Sequence, residues 1–233
     1  MVEIHLSGPG KNALGSELMA DVLAQVEAAQ GAPILFTGQG DAFSAGLNLK
    51  EVAGLDAPGM RDFLTRLQQF FETIWTYPGP TAAAVNGHAI AGGCILAMCC
   101  DVAIATDNER ARIGLNEVAI GLRFPPSLLR FVRAKISANH LDEVILGAGL
   151  HTPAEAARLG LVQRVASDHQ AAATQALQRL ARHPHEAYSA TKLDMRSGVM
   201  TASPQEQKHF DEAVVPFWTS PELKAKILAI LGG

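Results

Sequence analysis

NGHAIAGGCILAMCCD, residues 86–101, opens on the turn pair Asn86-Gly87 and passes through Gly92-Gly93 into an uninterrupted apolar run. The five residues before it, 81–85, carry a short buried-strand pattern that runs straight into Asn86-Gly87, and 101–105 carry another. A strand, a glycine turn, a helix and a further strand in immediate succession predict α/β architecture with parallel strands, because a helical crossover returns the chain to the same end of the sheet.

The same alternation extends outward. Ile34-Leu35-Phe36-Thr37 reads as a short strand ending in the turn Gly38-Gln39-Gly40, and the helical pattern Leu14, Leu18, Val22, Leu23, Val26 precedes it. After about Leu146 the texture changes. Thr152 is placed as an N-cap with Pro153 at N1 and Glu155 at N3, so a helix starts there, and Gly160 stops it. From Asp168 onward no strand pattern is found, only helical stretches at 171–182, 184–195, 204–214 and 221–231. These readings divide the chain into an α/β core over 1–165 and a C-terminal helical module over 166–233.

Length and composition agree. A chain of 233 residues that is 48% hydrophobic and 18% charged has the material for a large interior. A net charge of −4, with Lys and Arg scattered, gives no basic face for phosphate backbones, so nucleic acid is not an expected partner. The longest apolar run, Cys94 to Cys100, is far short of the roughly 20 residues of a membrane span. Val2-Glu3-Ile4-His5 has neither a basic nor an apolar leader character, and the expected location is cytoplasmic. Cys94, Cys99 and Cys100 share one predicted helix at spacings that do not suit disulfide geometry, and read as buried thiols. No His/Cys/Asp cluster has metal-ligand spacing, so no metal is expected.

Two glycine loops stand where strands give way to helices: Asp41 to Leu49 (DAFSAGLNL) and Asn86 to Gly93. Glycine there lets backbone N–H groups approach a ligand, and a helix N-terminus adds positive potential. Two such donors converging from different loops make an oxyanion hole. Some twenty residues downstream lies Ile113-Gly114-Leu115-Asn116-Glu117, with Gly121 behind it.

The set FSAGLNL, NGHAIAGGCILAMCCD and IGLNE resembles the enoyl-CoA hydratase/isomerase family, the crotonase fold, from about Lys11 to the end, including LHTPAEAARLGLVQRV at 150–165. The resemblance implies a ββα spiral core, C-terminal helices that assemble the protein as a homotrimer or dimer of trimers, and an acyl-CoA thioester as substrate, with no cofactor beyond that coenzyme A. It implies that Leu47, after the glycine of the first loop, and Gly92, in Ala91-Gly92-Gly93-Cys94, give the two oxyanion N–H groups. Glu117 falls on a catalytic glutamate of the family. The hydratases carry another two residues after Gly93, where this chain has Ile95. The resemblance also marks Ala45, Leu49, Gly93, Phe71, Phe124, Arg123 and Lys224 as candidate substrate contacts.

The missing acid has chemical meaning. Adding water across a conjugated double bond needs one group to activate the water and another to protonate the α-carbon, a job suited to two carboxylates. Moving a double bond from C3=C4 to C2=C3 needs one base, which takes a proton from C2 and returns it at C4. The single-glutamate pattern is similar to the Δ3,Δ2-enoyl-CoA isomerase branch, and isomerisation is the expected activity. Hydration or decarboxylation of an acyl thioester, and a non-catalytic binding protein on the same scaffold, are the alternatives.

Three departures stand out: Asn48 where the family usually has aspartate, an N-terminus short by roughly one strand, and Arg123-Phe124 after Gly121. Arg123 is expected at the surface, since arginine is rarely buried without a partner; facing the pocket instead, it would admit a carboxylated or hydroxylated acyl group. His88 reads as a packed or hydrogen-bonded residue. Phe63, Leu67, Phe70, Phe71, Ile74 and Trp75 form an apolar stripe at helical spacing, mostly core, with one or two at the acyl pocket. Lys224 and Lys226 read as solvated, or as reaching coenzyme A phosphates.

Overall fold

The computed structural model describes residues 1–232. Its strands are β1 (Val2–Leu6), β2 (Ile34–Gly38), β3 (Ala42–Ser44), β4 (Thr81–Val85), β5 (His88–Ile90), β6 (Val102–Thr106), β7 (Ile113–Gly114) and β8 (Arg164–Ala166). Helices α1 (Pro9–Asn12), α2 (Ser16–Ala28), α3 (Leu49–Gly54), α4 (Ala57–Trp75), α5 (Gly92–Cys99), α6 (Pro126–Lys135), α7 (Ala138–Ile145) and α8 (Pro153–Leu159) lie between them. After β8 come α9 (His169–Leu180), α10 (His185–Arg196), α11 (Pro204–His209), a π-helical turn at Phe210–Val214, α12 (Val215–Trp218) and α13 (Pro221–Gly232).

One sheet runs β1-β2-β4-β6-β8 and a smaller one β3-β5-β7, every pairing parallel. The strand Thr81-Ala82-Ala83-Ala84-Val85 is buried throughout, as a parallel strand covered on both faces must be. Ala83 and Val85 join the main core with Phe36 and the α4 aromatics, while Ala82 and Ala84, with Leu35 and Ile104, meet Ala173, Ala176 and Leu177 of α9. Alanine on both partners lets that helix sit close on the sheet.

Sequence reasoning finds the three central strands, the helices after Leu14, Gly92 and Thr152, the apolar stripe of α4 and the C-terminal helices, and it misses the short and edge strands for identifiable reasons. Val2–Leu6 alternates partly and fully buried positions with exposed ones as an edge strand beside Ile34–Gly38, so the segment weighed above only for leader character is part of the sheet. Strands β3, β5, β7 and β8 span only two or three residues each, too few to establish a period. The helix expected over 204–214 is broken into α11 and a π-helical turn. Thr152 caps α8 through a reciprocal capping box with Glu155, and Gly160 ends it at φ 83°.

Two devices hold the loops around the cavity in place. Asn86 accepts from the Gly38 N–H at 2.9 Å and donates to the Gly40 carbonyl at 2.9 Å, joining the ends of β2 and β4. At the other end of α5, Asp101 is buried between Lys192 (2.9 Å) and Arg196 (2.8 Å), accepts from Tyr188 at 2.7 Å, and pins α10 to the sheet. The last helices turn back over the core, α12 against α4 and α13 against α3. Among the described residues no helix is long and apolar enough to cross a membrane.

Candidate active site

Gly46 (φ 92°) brings the first glycine loop onto the start of α5. A Cβ there would lie 2.7 Å from the Ile90 carbonyl and 3.2 Å from the Ala91 Cβ, so only glycine allows the approach. The loop is fastened by Leu14, whose N–H donates to the Gly46 carbonyl at 2.6 Å and whose carbonyl accepts from Asn48 N–H at 3.0 Å. Leu47 is thus held between two fixed neighbours. Asn48 also acts locally, since its side chain caps α3 by accepting from Glu51 N–H.

From the other side, Ala91 caps α5 at φ 48°, ψ −118°, a region that L-residues rarely occupy. Its carbonyl accepts from Ile95 N–H at 3.0 Å, and Gly92 follows as the first helical residue. Among the described residues neither the Leu47 nor the Gly92 N–H has a protein acceptor. Gly92 is bare backbone ringed by apolar groups: a Cβ would meet Leu14 Cδ1 at 3.2 Å, Leu47 Cδ2 at 3.4 Å and Phe71 Cζ at 3.6 Å. Gly93, a candidate substrate contact by sequence, is instead a packing glycine. A Cβ on it would stand 2.4 Å from the Ser44 carbonyl, and it does not line the cavity.

Strand β7 delivers Asn116 and Glu117 to the same place. The chain turns tightly after them, with Ile120 N–H on the Asn116 carbonyl at 3.2 Å and Leu122 N–H on the Glu117 carbonyl at 2.7 Å. Glu117 is 7% exposed, and its Oε2 has no hydrogen-bond partner among the described residues. Burial pushes its pKa from 4.5 up to about 8, with a backbone hydrogen bond opposing only in part. The nearby Cys94 thiol is held far above its ordinary range by burial, and the charge of Glu117 adds to that.

These groups meet in one cavity of about 210 Å³. Of the sequence candidates, Glu117, Leu47, Gly92, Ala45, Leu49, Phe71, Phe124 and Arg123 all line it, and so does Ile95. Glu117 is its only carboxylate and Arg123 its only cation among the described residues. Arg123 is exposed at the rim, as expected of an arginine, yet it borders the cavity as well. Lys224 departs from expectation: it is half-buried outside the lining and donates to the Leu55 carbonyl at 2.8 Å, tying α13 to the end of α3. His88 accepts from Arg112 N–H at 3.1 Å through Nδ1, the hydrogen-bonded role expected of it.

Sequence reasoning misses Asn116, Trp218 and Ile230 as lining residues. Asn116 carries a buried, unpartnered Oδ1 beside the candidate base; its place directly before Glu117 is the available signal. Trp218 and Ile230 lie about a hundred residues downstream, in helices whose return over the cavity no local pattern announces.

The enoyl-CoA hydratase/isomerase family model matches residues 1–222. A putative enoyl-CoA hydratase of Thermus thermophilus is 35% identical over 171 residues, covering 70% of this chain and 66% of that protein. The human mitochondrial enoyl-CoA delta isomerase 1 is 30% identical over 201 residues, covering 83% of this chain and 66% of that protein. The matched stretches thus span just under two thirds of these relatives' own length. The crystal structure of human mitochondrial delta3-delta2-enoyl-CoA isomerase superposes with a TM-score of 0.91 at 24% identity, covering 99% of this chain and 92% of that one.

Proposed function

The chain belongs to the enoyl-CoA hydratase/isomerase family and has its crotonase fold, and we propose that it moves the double bond of an enoyl-CoA from C3=C4 to C2=C3 with Glu117 as the sole proton carrier. Relatives named as hydratases and as isomerases are both among its matches. One observation carries the choice: among the described residues the cavity holds a single carboxylate, with Ile95 in its wall.

In this reading ionised Glu117 takes the proton from C2, and the electrons of that C–H bond spread over the diene to the thioester oxygen. The Leu47 and Gly92 N–H groups hold the resulting oxyanion. Removal of one such donor typically costs about 10²–10³ in turnover, so the pair supplies a large part of the rate. Protonated Glu117 then returns the proton at C4, and the double bond is left between C2 and C3. A pKa of about 8 suits a group that must serve as base and then as acid near neutral pH. The apolar lining excludes water that would compete for the intermediate. Assembly as a homotrimer or dimer of trimers belongs to the same reading, and sedimentation measures it.

The deciding experiment is product analysis. With 3-hexenoyl-CoA the conjugated 2-enoyl thioester is expected to accumulate, and with 2-hexenoyl-CoA little 3-hydroxyacyl product is expected. Efficient hydration of the second substrate would overturn the isomerase reading.

A further inference from the structure

Arg123 is charged, borders a cavity whose lining is apolar apart from Asn116 and Glu117, and has no anionic partner among the described residues. Its backbone is firmly placed: the carbonyl accepts from Trp218 Nε1 at 3.0 Å, and Pro125-Pro126 stiffen the chain just beyond it. The surroundings add positive charge. Lys226, also unpaired among the described residues, has its Nζ 3.2 Å from where a Cβ on Gly121 would stand, and Arg133 lines the groove that adjoins the cavity at Leu122, Arg123 and Phe124. Arg130, in that groove, is already paired with Glu206.

We infer that Arg123 selects a thioester whose acyl chain ends in a carboxylate, that is, a coenzyme A monothioester of a dicarboxylic acid. This rests on the reading of the cavity as an acyl-thioester site. A carboxylate carried deep into apolar surroundings would lose its hydration without return. Held at the rim it keeps water on one side and gains a planar fork of N–H donors on the other. The other anion a substrate of this kind brings is the phosphate of coenzyme A, which Arg123 meets with the same chemistry, so the test separates the two sources.

Binding, which does not require turnover, is the readout. Calorimetry compares the hexanoyl and hexanedioyl monothioesters, and the eight-carbon pair, each on coenzyme A and on pantetheine, which lacks the phosphates. The wild-type protein is expected to bind the dicarboxylic monothioester at least tenfold more tightly than its neutral counterpart at one of these lengths, on either carrier. Arg123→Gln is expected to abolish that preference while changing neutral-ester affinity less than threefold, and Arg123→Lys to restore part of it. Equal binding at both lengths overturns the inference. So does a loss in Arg123→Gln that strikes both coenzyme A esters and spares both pantetheine esters, which would assign the arginine to the phosphates. Selective binding without turnover would leave this inference standing and sink the isomerase reading; turnover of 3-enoyl esters without selectivity would do the reverse.

Discussion

Ile95 and Glu117 border the same cavity, the first 1% and the second 7% exposed, so the carboxylate shares its desolvated space with an aliphatic side chain where a second acid would otherwise complete a pair. Glu117→Gln keeps the shape and removes the proposed base. Turnover of 3-hexenoyl-CoA is expected to fall at least about 10³-fold, near the upper range for general acid–base catalysis, with thioester affinity changed by less than threefold. Retention of more than a tenth of the wild-type kcat would remove Glu117 from the mechanism.

The pH dependence comes from the same burial. In the proposed mechanism the ionised form is the base, so kcat is expected to rise with pH through a midpoint near 8. Stability runs the other way. The folded pKa lies above the unfolded 4.5, so the folded state holds the proton more tightly, and that contribution is complete below 4.5 and lost as pH rises through about 8. The loss approaches an order of 5 kcal/mol, at about 1.4 kcal/mol per pKa unit. Denaturant melts at pH 5 and pH 9 measure it: Glu117→Gln should gain on the wild type at the higher pH, and an unchanged gap would place the carboxylate in water.

Much of the fold and the site is legible in the sequence, and the limits are physical. That Gly46-Leu47, Gly92 and Glu117 would meet in one place can be read because close backbone approach and a buried carboxylate leave short, residue-specific signatures. Strand β4 is visible for a similar reason, since two covered faces require an apolar run. Gly93 misleads because a glycine that clears a path for Ser44 looks in sequence like one that clears a path for a ligand. Trp218 and Ile230 are invisible because their contribution depends on how the last helices dock, which sums many weak contacts.

Gly46 offers a test of backbone placement independent of any side-chain chemistry. Gly46→Ala would set a methyl 2.7 Å from the Ile90 carbonyl at φ 92°. The loop must then retreat and carry Leu47 with it. A fall in kcat of about 10²-fold is expected, as for loss of one oxyanion donor, with a stability cost of about 1–3 kcal/mol. Gly40→Ala is the control: its φ of 78° is also strained, but nothing lies within 4 Å, so stability should drop with kcat intact. Equal effects on kcat would show that general loosening, not donor placement, limits the rate.

Asp101 tests the support beneath α5. Its carboxylate, 8% exposed, is shared by Lys192 and Arg196. Burial raises its pKa, but those two cations and the Tyr188 hydroxyl outweigh this and hold it below the ordinary carboxylate range. Asp101→Asn leaves two buried cations unmatched and is expected to cost about 3–5 kcal/mol at neutral pH. A depressed folded pKa stabilises above the unfolded value of 3.8 and loses that contribution as pH falls through the folded one, so the gap between variant and wild type should close only in strong acid. A gap that closes already near pH 6 would assign the effect to another group.

Ile95→Glu asks whether the aliphatic wall is what confines the chemistry to one base. The new side chain would enter a 1% exposed position on the cavity that holds Glu117. Two carboxylates in one desolvated space do not ionise independently, and the first ionisation makes the second harder. The upper midpoint of the kcat profile is therefore expected to move above the wild-type value near 8, with a stability loss at high pH from the second buried charge. Hydration of 2-hexenoyl-CoA, expected to be low in the wild type, should become measurable once a second proton carrier is present. Ile95→Ala removes the aliphatic side chain without adding an acid, so its profile should keep the wild-type midpoint. A midpoint unmoved in Ile95→Glu would mean that the side chain at 95 does not share the field of Glu117, and the absence of a second acid would no longer explain which reaction the protein performs.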